Sequence, residues 1–237
     1  VLAKLLKLLI ALALLPLVAA EFWTLYDLIC AAVPLGQWPG TPILSLVGGF
    51  IAWLLIFFFL PKPMWLYVLG HEFTHALAAM LAGGKVSAFK VTAKGGHIMT
   101  DRVNWWIALS PYFVPLYALI WIALWISIDF YCPLKAWQPV LFFGLGLFWC
   151  FHLSFTISMF HLRQTDLTGQ GILFSFAVIL LFNLLIFLAF FSLLTHDVRK
   201  SGQQFFLRTE QSYVYTGQQI RHGADAALKY WHDQHQQ

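Results

Sequence analysis

Apolar residues in this chain come in long blocks. Leu5 to Ala20 with a continuation toward Val33, Pro42 to Leu60, Met64 to Ala82, Trp105 to Ile128, Val140 to His161 and Gly171 to Leu194 are such blocks. Each approaches or exceeds the roughly 20 apolar residues that a helix needs to cross a bilayer. The pattern predicts an all-α polytopic membrane protein with about six transmembrane helices. Lys4 and Lys7 near the start resemble the basic end of a signal peptide. No small-residue cleavage site is clear, however, and the apolar pattern resumes after Glu21, so the first block reads as a span.

Two segments break the run of blocks. Between Gly83 and Asn104, apolar and polar residues alternate from Phe89 to Lys94, pause at Gly95-Gly96 and resume at Ile98. This period of two around a glycine pair predicts a short β-hairpin, whose free edge offers main-chain groups to an extended peptide. The second segment is the polar tail from His196 to Gln237. In it Ile220, Ala224, Ala227, Leu228 and Trp231 recur at helical spacing, predicting an amphipathic helix from about Gln218 to Gln236. The chain thus divides into N-terminal transmembrane helices over 1–60, a membrane core over 61–195 and a polar C-terminal tail over 196–237.

Composition agrees with the blocks. The chain is 60% hydrophobic and 10% charged with a mean hydropathy of +0.75, whereas soluble domains carry about 25% charged residues. The expected location is integral and multi-pass in a lipid bilayer. A net charge of +4 from scattered residues gives no argument for nucleic acid. Cys30, Cys132 and Cys150 are too few and too scattered for a disulfide framework or a thiolate metal site, and read as ordinary buried thiols.

Against this background one stretch stands out. The block from Met64 to Ala82 contains His71-Glu72-Phe73-Thr74-His75, with Glu72 its only carboxylate and no Lys or Arg. On a helix, positions i and i+4 lie on one face, so both imidazoles reach a single metal ion while Glu72 projects close enough to act on a water beside it. The competing reading is two satisfied core histidines and a neutral buried Glu. Three ionisable groups in an apolar span are costly, and a purely structural helix would lose nothing by carrying Leu there. His71 and His75 are therefore candidate zinc ligands and Glu72 the candidate catalytic base.

A catalytic zinc takes a third protein ligand and keeps one position open. Asp166 lies in a polar break, Arg163 to Gly171, between two apolar blocks, where a loop or helix start can turn a carboxylate inward. Asp101 lies at the base of the hairpin, and His97 and His161 also fall near block ends. Asp166 is favoured because it comes from a separate, later part of the chain, so the metal would tie two helices together. The alternative is that Asp166 caps the helix that follows.

Here the chain resembles the site-2 protease class of intramembrane zinc metalloproteases. The resemblance runs from His71 to about Leu194. It rests on HEFTH inside a span, on the Gly83 to Val86 and Gly95 to His97 hairpin, on NWWIALSPYFVPLY from Asn104 to Tyr117, and on the late Asp. It implies a metalloprotease-like core in which His71, His75 and Asp166 bind zinc and Glu72 activates water to hydrolyse peptide bonds of membrane protein substrates. Two features depart from that class. QTDLTGQG stands where an Asn-Pro-Asp-Gly or Leu-Asp-Gly pattern is usual around the third ligand, and no soluble PDZ-like insert is present. Both mark a compact, divergent branch.

Two other readings compete. A non-proteolytic subunit would keep the fold, and its zinc, as a structural clip in a larger membrane complex. An intact Glu72 argues against it, since a structural zinc needs no base. A haem site built from His71, His75, His152 and His161 is the other, and it too has no use for Glu72.

Overall fold

The computed structural model describes residues 2–32, 40–92, 95–160, 164–194 and 198–235. These form α1 (Leu2–Ala32), α2 (Thr41–Phe59), α3 (Met64–Leu81), β1 (Val86–Thr92), β2 (Gly95–Thr100), α4 (Trp105–Phe113) and α5 (Leu116–Tyr131). A single 3₁₀ turn at Lys135–Trp137 precedes α6 (Gln138–Phe160), α7 (Thr165–Gln170), α8 (Ile172–Leu194) and α9 (Val198–His235). Helix dominates because the chain is built of apolar blocks that must satisfy their backbone groups internally.

Among the described residues four helices are long and apolar enough to cross a membrane: Leu2–Ala31, Thr41–Phe59, Lys135–Phe160 and Ile172–Ser192. A fifth span results if α4 and α5 are counted as one across their bend of 68°. The expected six are not reached. The block from Met64 to Ala82 does form a helix, α3, but His71, Glu72 and His75 lower its apolarity and it falls outside the set. The block from Trp105 to Ile128 is broken. Pro115 has no N–H, and its ring drives the preceding Val114 into an extended conformation (φ −90°, ψ 108°), so α4 stops there and α5 starts afresh.

The chain forms two compact units, one of residues 1–34 with 180–237 and one of residues 35–179. In the second unit α2 and α6 pack closely. A Cβ on Gly49 would fall 1.9 Å from the Phe143 carbonyl oxygen, and one on Gly146 would fall 1.9 Å from that of Leu46. Only glycine allows that approach at both points. Beside the seam lies an aromatic cluster of Trp53, Phe57, Cys150, Phe151 and Phe155, against which Tyr67 and Tyr117 pack. The Tyr67 ring stacks on Phe155 at 4.5 Å. Cys150 is buried, while Cys30 and Cys132 are exposed, contrary to the expectation of three buried thiols.

The predicted hairpin is present. β1 and β2 pair antiparallel, with Lys90 opposite His97 and Val91 opposite Gly96, and with an irregularity between Val86 and Ala88. At its base Asp101 Oδ1 accepts from the Lys85 N–H at 2.7 Å.

In the first unit α9 runs along α1. Pro16 interrupts the hydrogen-bond ladder of α1. Nearby, Ser212 Oγ donates to the Pro16 carbonyl at 2.7 Å and the Tyr213 hydroxyl to that of Ala13 at 2.8 Å. Arg208 is paired with Asp27 at 2.5 Å. Leu25 and Leu28 pack with Leu188 and Phe191 beneath Phe205. Fully buried Glu21 has no hydrogen-bond partner for either carboxylate oxygen among the described residues, a polar cost that nothing in the structure offsets. The tail helix therefore begins some twenty residues before the apolar stripe that predicts it, because its first half is held by Phe205 and by polar contacts to α1 that form no apolar stripe.

Candidate metal centre

The site begins on α3. One turn separates His71 from His75, and their Nε2 atoms lie 3.2 Å apart. Asp166 reaches them from α7, its Oδ2 lying 3.7 Å from His71 Nε2 and 3.5 Å from His75 Nε2. Tetrahedral zinc, with bonds of about 2.0 to 2.2 Å to imidazole and carboxylate, holds its ligand atoms about 3.3 Å apart. The three measured edges bracket that value, so the donor set and its spacing both fit a small divalent ion. Among the described residues these three form the one group of His, Cys, Asp and Glu side chains gathered closely enough to hold a metal.

The ring orientations carry a second argument. His75 Nδ1 lies 2.7 Å from the Ile107 carbonyl oxygen. A carbonyl only accepts, so Nδ1 carries the proton and Nε2 is the nitrogen turned into the site. That carbonyl is available for a local reason. Its helical donor would be the N–H of residue 111, and Pro111 has none. Ser110 Oγ, at 3.1 Å, is its other donor. Small residues on α3 bring α4 this close: Ala78 and Ala79 pack directly on Ile107. Asn104 caps the start of α4 by accepting from the Ile107 N–H at 2.8 Å.

His71 Nδ1 meets the Tyr67 hydroxyl at 3.2 Å, one turn back along α3. The Tyr112 hydroxyl, from α4, donates to Asp166 Oδ2 at 3.2 Å. Two imidazole nitrogens and a carboxylate oxygen thus converge on one point. Burial works to raise the Asp166 carboxyl, but the facing imidazoles outweigh it and hold the group below the usual carboxylate range, so it is carried as an anion.

Glu72 is buried and lines the same cavity as the three gathered residues, a space of about 330 Å³. Its other walls include Gly96, His97, Ile98 and Thr100 of β2, with Gln164 and Thr165 before Asp166. Gly96 packs so tightly that a Cβ there would fall 2.6 Å from Glu72 Cγ.

The other candidate ligands separate from the group. His97 lines the cavity without joining it, Asp101 is engaged at the hairpin base, and His161 lies outside the described residues. Nor does Asp166 act as a helix cap. It sits inside the first turn of α7, where Gln164 is the N-cap residue and makes no side-chain cap hydrogen bond. The space that His152 shares with His71 is about 20 Å³, room for one water, and His161 of the haem reading lies outside the described residues. The sequence pointed neither to Tyr67 and the Ile107 carbonyl nor to Tyr112 as a partner of Asp166. The spacing of four from Tyr67 to His71 and from Ile107 to Pro111 was the available signal for two of them.

No protein family, curated protein or solved structure matches the chain. The site therefore stands on its own geometry.

Proposed function

We propose that this chain is an intramembrane zinc metalloprotease, a compact and divergent relative of the site-2 proteases, which hydrolyses peptide bonds of membrane protein substrates. The observation that carries the reading is the triangle of His71, His75 and Asp166 with edges of 3.2, 3.7 and 3.5 Å beside Glu72 in one cavity. A structural zinc site closes its fourth position with a protein ligand, whereas here the side facing Glu72 opens on the cavity.

Zinc bound there supplies Lewis acidity to the scissile carbonyl and to the attacking water. The chain's own residues do the rest. His71, His75 and Asp166 present three donors from two helices and leave one side of the site open to the cavity. Glu72 takes a proton from water as its oxygen bonds to the carbonyl carbon, then returns that proton to the amine nitrogen as the C–N bond breaks. Its buried position keeps the carboxylate out of bulk water and beside the reacting atoms.

Substrate must be extended before its peptide bond can be attacked, and β2 supports that step. Its residues Gly96 to Ile98 and Thr100 rim the cavity, whereas no residue of β1 lines it. Within the two-stranded sheet, β2 pairs on one side only, leaving its outer edge for strand addition.

The test is Glu72→Gln. The variant retains zinc at the wild-type level and loses cleavage of a membrane-embedded substrate by about 10³-fold or more, because the base is gone and the ligands remain. Zinc retained in both proteins with no cleavage by the unmutated chain, and stable co-purification with a large complex, would instead mark a structural subunit.

A further inference from the structure

Asp166 is the least anchored of the three gathered residues. His71 and His75 share one long helix, but Asp166 sits on α7, a helix of only six residues between Gln164 and Gly171. Its side chain is 28% exposed, against 12% and 11% for the two imidazoles. A carboxylate so placed could swing toward water unless something holds it.

The Tyr112 hydroxyl is that hold. It donates to Oδ2, the same oxygen that faces both Nε2 atoms. Tyr112 is itself fully buried and fixed on three sides. Its ring meets His71 edge-on at 5.2 Å and lies parallel to Phe160 at 6.4 Å, and its carbonyl accepts from Thr156 Oγ1 at 3.4 Å. The break at Val114-Pro115 sets α4 free from the direction of α5, so that α4 packs on α7 and delivers this hydroxyl.

We propose that Tyr112 is a positioning residue for the third ligand: its O–H holds Asp166 Oδ2 in line with His71 and His75 before metal arrives, and fills one lone pair of that oxygen afterwards. This rests on the metal-site reading above. It also accounts for how QTDLTGQG, without a rigid turn around the Asp, delivers a carboxylate to a fixed point. Tyr112 is not among the residues that line the cavity, so its action on the site runs through Asp166.

Tyr112→Phe removes the hydroxyl and leaves the ring packing on His71 and Phe160. Three readouts on the full-length chain test the proposal: zinc affinity by chelator competition, the visible spectrum of the cobalt(II)-loaded protein, and melting of the metal-free protein. The expected result is zinc affinity lower by about 10- to 100-fold, a shifted cobalt spectrum and unchanged metal-free melting. Tyr117→Phe is the control, since that hydroxyl donates to the Leu66 carbonyl and not to a ligand; its zinc affinity should match wild type. Wild-type affinity and an unchanged spectrum in Tyr112→Phe overturn the proposal and leave the metal site standing. So does failure of the variant to fold, or a drop in metal-free melting that accounts for the lost affinity. A wild-type chain that binds neither zinc nor cobalt overturns the metal-site reading and this inference together.

Discussion

At the scale of single residues, the site is organised by what lies behind the ligands. Each of the three has a partner on its far side or on its shared oxygen: Tyr67 for His71, the Ile107 carbonyl for His75 and Tyr112 for Asp166. Such partners fix tautomer and direction, and their loss typically costs about 10- to 100-fold in metal affinity. Pro111 is the least obvious contributor, since it acts by lacking a donor. Pro111→Ala should restore a helical N–H to compete for Ile107 O, loosening His75. The expected outcome is zinc affinity reduced by about 10-fold with a helix no less stable. Chelator competition measures it, and unchanged affinity would mean that His75 needs no freed carbonyl. The two imidazoles and Glu72 were legible in the sequence because i, i+4 spacing in an apolar block has few other uses. Tyr112 was not legible, because nothing along the chain says that α4 and α7 meet.

At the scale of elements, periodicity found the hairpin and the helices but misjudged where they stop. The block from Trp105 to Ile128 reads as one span, and the apolar pattern carries no sign that Pro115 ends one helix there and starts another. The hairpin owes its place beside α3 to Gly96. A Cβ there would fall 2.6 Å from Glu72 Cγ, 2.7 Å from the Lys90 carbonyl oxygen and 3.0 Å from Val68 Cγ1. The Lys90 carbonyl is backbone of the paired strand and cannot yield, so the hairpin must lift or Glu72 must move. Gly96→Ala should therefore cut cleavage by about 10²-fold, the usual cost of a misplacement near 1 Å. Zinc should stay bound within a few-fold, because the ligands lie on α3 and α7. Equal loss of zinc and of cleavage would show that the strand supports the ligands and not the base. If a substrate strand pairs with the hairpin as proposed, it does so on β2, the strand that rims the cavity, so backbone substitutions that probe a clamp belong there.

At the scale of the whole molecule, composition was enough to predict several helices fit to cross a membrane, and among the described residues four are long and apolar enough to do so. The helix that carries the candidate site falls outside that set for a chemical reason: its ionisable residues lower its apolarity. The pairing of α9 with α1 was illegible for the opposite reason. It rests on Ser212, Tyr213 and Arg208 meeting single carbonyls and Asp27, contacts that leave no period in the sequence. The account's central claim is that His71, His75 and Asp166 hold one zinc ion. Zinc K-edge X-ray absorption on the purified wild-type chain and on Asp166→Ala tests it most directly. The account predicts one zinc per chain with two imidazole nitrogens and a carboxylate oxygen at about 2.0 to 2.2 Å, and loss of the carboxylate together with most of the metal in Asp166→Ala. Absence of stoichiometric zinc from the wild type, or an unchanged spectrum and zinc content in the variant, would contradict it.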